Sequence, residues 1–321
     1  MRSNKYSAPL QPAVKGGVKE LSEESRKRMR ELNSPQPVRF FWEIVKTWIV
    51  IIGAIAIAVH VENIFVSALV IFIVATRQNV LALLMHEQTH YLGFKHKYGD
   101  LITDFLVCYP LIFVSVKNYS KVHLAHHKHY FTDKDPDLER KSGENWIFPM
   151  EHRQLLKLFV QDLFGINLLE TLRGKNLKEV DIQIKRLWEI PKFVKPLYLI
   201  SAAFIITVTN SWGIVLLYWV LPLVTVLQVL VRWGAIREHF YISDAPLEIS
   251  TPLIINPWWE RLVMPDQNFG YHIYHHYFAA VPFSNLPKVH KIFVEEGLVD
   301  QSQIFHGSWP YLKALLRRPA S

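Results

Sequence analysis

The sequence predicts an all-α integral membrane protein: four transmembrane helices in two hairpins, with a cytosolic helical cap that carries clustered histidines. Three observations predict it. Half of the 321 residues are hydrophobic and 13% are aromatic, more apolar side chain than an ordinary soluble domain carries. The apolar residues concentrate in four runs that form two pairs, each pair split by a short polar turn. The 15 histidines are not scattered, and most fall in groups spaced for one face of a helix.

Residues 1–39 read as a basic cytosolic tail. The tail has no apolar core of the kind a secretory signal peptide carries, and Ser22 followed by Glu24, Arg26, Lys27, Arg28 and Arg30 predicts a short charged surface helix. The first apolar pair is Thr47–Val61 and Phe65–Thr76, parted by Glu62-Asn63-Ile64, which places spans over about 45–62 and 64–84. The second is Pro196–Thr209 and Gly213–Val231, parted by Asn210-Ser211-Trp212, with spans over about 194–210 and 212–233. Only the last run reaches the roughly 20 residues that cross a bilayer unaided. Phe40, Phe41 and Trp42 extend the first run with an aromatic anchor at headgroup level. A further run, Asp104–Val116, is too short to span and is expected to dip into the interface or rest on it. The membrane domain is thus drawn over 40–300, with cap segments at 85–193 and 234–300 and a cytosolic tail at 301–321.

Charge sets the orientation. The basic tail, Arg77, the segment RGKNLKEVDIQIKRLWEIPKFVK and Arg232 all fall on one side if each hairpin crosses and returns. By the positive-inside rule that side is cytoplasmic, in an endoplasmic reticulum or bacterial inner membrane. The net charge of +8 sits in tails and beside apolar runs, where it faces anionic lipid headgroups, so nucleic acid is not read as a partner. The single Cys108 excludes an intramolecular disulfide framework and any cysteine-rich metal site. A metal here is therefore held by histidine or carboxylate.

His86-Glu87-x-x-His90 is the spacing of a helical zinc protease site, in which Glu87 is the general base. KVHLAHHKHY places His123, His126 and His127 at i, i+3 and i+4, and NFGYHIYHHYF repeats that spacing in His272, His275 and His276. IREHF adds His239. Helices continuing past Arg77 and Arg232 would carry His86 and His239 about 10 to 14 Å beyond the hydrocarbon. Nine grouped histidines exceed the three or four ligands of a zinc site and indicate two metal ions. Imidazole suits zinc, copper, iron and nickel, so ligand type alone leaves the metal open. Trp258 and Trp259, after Pro257, read as an interfacial anchor.

The three histidine boxes, their order and their distances from the apolar pairs resemble the membrane fatty acid desaturase and hydroxylase superfamily. The resemblance covers roughly residues 45 to 295 and includes DKDPDLE after the second box and GYHIYHHYFAAVPFSNLP around the third. It implies a di-iron centre ligated by His86, His90, His123, His126, His127, His272, His275 and His276, with His239 as the further histidine that some members supply after the last membrane helix. In acyl-CoA desaturases an asparagine four residues before that histidine holds a water on the metal; here the position is Ala235, and Asn268 is taken as a substitute. His129, Glu87, Asp135 and Asp137 are read as supporting the ligands, the two aspartates by fixing histidine tautomers or by building a turn around Pro136. His96, His152, His290 and His306 are read as ordinary surface residues.

The implied activity is O2-dependent oxidation of an unactivated alkyl chain, most directly desaturation of an acyl-lipid or acyl-CoA fatty acid. Hydroxylation or ketolation of a lipid, alkane or carotenoid is the alternative within the superfamily. The sequence carries no haem-binding H-P-G-G segment and no cysteine cluster for iron–sulfur, so electrons are expected from an external ferredoxin, rubredoxin or cytochrome b5 type carrier.

Overall fold

A computed structural model describes residues 11–166, 168, 169, 184–242 and 244–316. Part of the basic segment between the two apolar pairs, residues 173–183, lies outside them, as does the end of the C-terminal tail. The described residues are helical apart from turns and three isolated bridges, and the chain forms two compact units. An apolar unit comprises Pro35–Leu124 and Val160–Arg232, and a polar unit Met1–Ser34, Ala125–Phe159 and Trp233–Ser321.

The apolar unit is built on long helices. Helix α2 (Pro37–Val61), counted after the N-terminal α1 (Glu23–Glu31), opens on proline at its first position, where a missing N–H costs nothing. It closes at Glu62 in the left-handed region, with φ of 49°. Asn63 then caps α3 (Ile64–Thr89), accepting from Phe65 N at 2.9 Å. Helices α2 and α3 pack through Ile51, Ala54, Ala58, Val70 and Val74, the small alanines allowing close approach. Both are long and apolar enough to cross a bilayer, and so is Trp212–Glu238. Ile52, Ile57, Phe65 and Leu69 on these helices are exposed, which in water would be untenable and in lipid is the ordinary arrangement.

Two of the apolar runs are not long straight helices. The third apolar run forms a helix of only 15 residues, Val194–Val208, shorter than a hydrocarbon core. Asp104–Val116 forms no straight helix. Helix α4 (Gly99–Thr103) continues as one π turn to Cys108 and a 3-10 turn to Leu111, and α5 (Val116–His129) departs at 92°. Pro110 interrupts the ladder, and two indoles take up carbonyls left at the break. Trp48 Nε1 donates to Leu106 O at 2.8 Å and Trp219 Nε1 to Pro110 O at 2.9 Å, the two rings stacked at 5.3 Å. The last long helix is bulged likewise, with a π turn over Leu216–Val220 ahead of Pro222.

After α5 the polar unit contains α6 (Pro136–Arg140), and α7 (His152–Leu163) follows across the unit boundary. Val194–Val208 is α8 and Trp212–Glu238 is α9. Then come α10 (Trp258–Val263), α11 (His272–Tyr277), α12 (Leu286–Glu295) and α13 (Ser308–Leu315). The polar-unit core joins Phe148, Met150 and Leu158 to Ile236, Phe240, Ile254 and Tyr311. The charged helix expected near Ser22 is α1, capped by that serine. It is held to α12: Ser22 and Ser25 donate to Glu296, and Arg28 pairs with Glu295 at 2.7 Å. Trp258 and Trp259 are 77% and 54% exposed, an apolar surface suited to a headgroup region.

Candidate metal centre

In the apolar unit, α3 runs past residue 84 to Thr89, so that His86 lies in its last turn and His90 is its C-cap. Four residues apart, the two imidazoles share a face. His123 on α5 meets them: its Nε2 lies 3.0 Å from Nε2 of His90, and its ring centroid 4.0 Å from that of His86. One ligand atom of each of the three lies within 4.8 Å of the others. Tyr119, one turn earlier on α5, stacks on the His123 ring. Burial, helped by the nearby Arg186 cation, pulls the His90 pKa down to about 3, so the ring is neutral and its lone pair is available at neutral pH.

In the polar unit the contacts are denser. Nε2 of His239 lies 3.3 Å from that of His126, 3.1 Å from that of His272 and 3.0 Å from that of His276. His276 and His272 approach at 3.2 Å, and His127 and His275 at 3.0 Å, again through Nε2. Box spacing explains the convergence: α11 is a turn and a half long, and H-x-x-H-H puts all three of its histidines near one side. Burial, with the neighbouring histidines and Lys141, holds His239 well below its ordinary pKa, and burial beside His127 and His239 does the same for His276.

The opposite ring nitrogens have their own partners. His126 Nδ1 lies 2.9 Å from Oδ2 of Asp135, and His239 Nδ1 lies 2.9 Å from Thr251 Oγ1 and 3.3 Å from the Tyr130 hydroxyl. Asp135 also caps α6, so the turn around Pro136 and the histidine contact are one construction. Asp137 bonds no histidine. Burial acts against its charge, but Lys141 and Arg140 beside it hold it well below the usual carboxylate range. Asn268 is committed elsewhere, accepting from Arg261 at 2.6 Å and donating to Phe283 O at 2.9 Å. His129 is partly exposed and bonds Thr132 through its backbone carbonyl. Glu87 is buried, at 7% exposure. Ala235 is buried and its carbonyl accepts from His239 N at 3.3 Å. His96, His152 and His306 are exposed, whereas His290 is partly buried with Nδ1 2.9 Å from the Tyr274 hydroxyl.

These donors fit a metal. Two nitrogens each about 2.1 Å from a shared ion stand about 3.0 to 3.4 Å apart. The contacts at His239 fall at 3.0 to 3.3 Å. Three Nε2 atoms around one Nε2 is not an arrangement that hydrogen bonding satisfies, because a neutral imidazole offers a single N–H. With Nδ1 engaged outward on His126 and His239, Nε2 is the nitrogen left to face a metal. No carboxylate belongs to either group of candidate ligands among the described residues.

Residues 63–309 match the fatty acid desaturase family. The chain belongs to that family. No curated protein matches it. The desaturase-family match takes in all nine histidines and α3 to α10 entire, together with α11 and α12. Tyr119, Tyr130, Ser250 and Thr251 were not singled out from the sequence of this desaturase relative. The two tyrosines could have been, since each lies four residues from a box histidine, whereas Ser250 and Thr251 reach Tyr130 and His239 only through the loop after α9.

Proposed function

We propose that this chain is an O2-dependent di-iron oxidoreductase of the membrane that desaturates a long acyl chain. One observation carries the reading: imidazole Nε2 atoms meet at metal-ligand spacing in both units, within a chain of the fatty acid desaturase family. His86, His90, His123, His126, His127, His239, His272, His275 and His276 hold two irons. Bound there, the iron pair supplies, with O2 and two electrons, the oxidising power to take hydrogen from an unactivated CH2.

The protein's own part is to hold and to exclude. Burial keeps the imidazoles neutral, so that they ligate instead of repelling one another as cations. Asp135 and Thr251 fix which nitrogen of His126 and His239 faces inward. The acyl substrate arrives from lipid, and the ligands face the cytoplasm, where a ferredoxin, rubredoxin or cytochrome b5 type protein delivers electrons to the basic side of the molecule.

Lipid profiling of cells expressing the chain, beside a His275→Ala control, tests the reaction. New olefinic acyl chains that disappear in the control support it, and hydroxylated lipids alone assign the hydroxylase or ketolase branch. Metal analysis of purified protein tests the centre: about two irons per chain are expected, and one zinc with negligible iron would instead make His86, Glu87 and His90 a protease site.

A further inference from the structure

We propose that Arg186 is a positioning residue for the first histidine box, clamping the last turn of α3 so that His86 and His90 hold their places; this rests on the metal-binding reading above. Arg186 belongs to a non-helical segment whose neighbours Lys185 and Leu187 are exposed, yet it is itself only 5% exposed. An arginine drawn inward from a surface segment has been recruited by something inside.

Its partners are at the end of α3 and on α4. Nε and one terminal nitrogen fork onto the two oxygens of Asp100, each at 2.7 Å. The same guanidinium donates to Thr89 O at 2.8 Å and Gln88 O at 3.1 Å. These are among the last carbonyls of α3, where helical N–H donors run out; Gln88 O also accepts from Tyr91 N at 2.9 Å. The positive group also stands at the negative end of the helix dipole. Below it lies Tyr91, whose ring is 3.9 Å from the guanidinium carbon and whose φ is +58°, and its hydroxyl accepts the Leu187 N–H at 2.8 Å.

Gln88 completes the clamp. Buried between the two box histidines in sequence, it donates to Phe94 O at 3.0 Å and Asp100 Oδ1 at 2.9 Å and accepts from Phe94 N at 2.8 Å. One guanidinium and one amide therefore tie residues 88 to 94 to Asp100 from both sides. A ligand on the terminal turn of a helix is otherwise in the part that frays first. None of these groups is a metal ligand, and none needs to be.

Arg186→Gln removes the fork and takes the charged donor from Asp100 and from the Thr89 and Gln88 carbonyls. Arg232→Gln, which breaks the buried pair to Asp162, controls for destabilisation alone. On full-length protein in detergent, Arg186→Gln should lower iron per chain about twofold while Arg232→Gln retains it. Amide exchange over residues 86–94 should quicken about tenfold in Arg186→Gln and not in the control, with or without metal. Unchanged exchange there, or equal iron loss in both variants, overturns the clamp. Iron absent from the wild type overturns the metal reading, and the exchange measurement still decides the clamp.

Discussion

Oδ2 of Asp135 lies 2.9 Å from Nδ1 of His126 and accepts the backbone N–H of Phe131 at the same distance. The other oxygen caps α6, accepting from Asp137 N at 2.8 Å. One buried carboxylate thus orients the His126 ring and starts the helix that follows the second box. Asp135→Asn keeps the size and one acceptor but loses the charge facing the ring. Iron affinity should fall about 10- to 100-fold, read by titrating metal into chelator-treated protein, while helix content by circular dichroism stays level.

Glu87 separates oxidation from proteolysis. Glu87→Gln should leave desaturation measurable, at more than about a tenth of the wild-type rate, because no proton transfer is assigned to this carboxylate. Loss of all lipid oxidation with iron content unchanged would show that Glu87 takes part in the chemistry.

Acid should weaken the fold. The unfolded histidine titrates near 6.5, whereas folded His90 accepts a proton only at about 3, and His239 and His276 are lowered too. Between those values the unfolded chain binds protons that the folded one refuses. Stability is therefore complete above about pH 6.5 and is lost as pH falls, at up to about 1.4 kcal/mol per unit for each such ring. Thermal unfolding of chelator-treated protein at pH 7.5, 6.5 and 5.5 should show little change over the first step and a clear drop over the second. A flat profile through 5.5 would mean that these rings are not buried as described.

Gly270 sits two residues before His272, and a Cβ there would lie 1.8 Å from the carbonyl oxygen of Ile254. Backbone cannot step aside as a flexible side chain can. Gly270→Ala should cost more than about 2 kcal/mol and reduce iron content, whereas Gly53→Ala, which meets nothing within 4 Å, should cost neither.

Most of the helical frame was legible because its signals are local. Ser22 stands before the charged helix expected in the sequence and caps it in the structure, Asn63 of the expected polar turn caps α3, and long apolar runs have few other ways to fold. The histidine groups were legible through i, i+3, i+4 spacing alone. What was hidden is non-local. Pro110 and Pro222 mark the π turns only in retrospect, since proline shows where a ladder fails and not how neighbours repair it. Asn268 looked free to serve the site until Arg261 and Phe283 were found holding it. Arg186 lay in a basic stretch read for membrane orientation, and nothing nearby in sequence announces that its partner is Asp100, 86 positions away.

The kink between α4 and α5 inherits its shape from residues that are not part of it. Two ring N–H donors lodged on α2 and α9 hold its carbonyls, so phenylalanine at position 48 or 219 would keep an aromatic ring there and still leave a carbonyl oxygen without that donor. The bend is thus not portable. Grafted into another scaffold without both tryptophans, residues 104 to 115 would have no reason to keep their contour, and chimeras that exchange this stretch should carry the two indoles along with it.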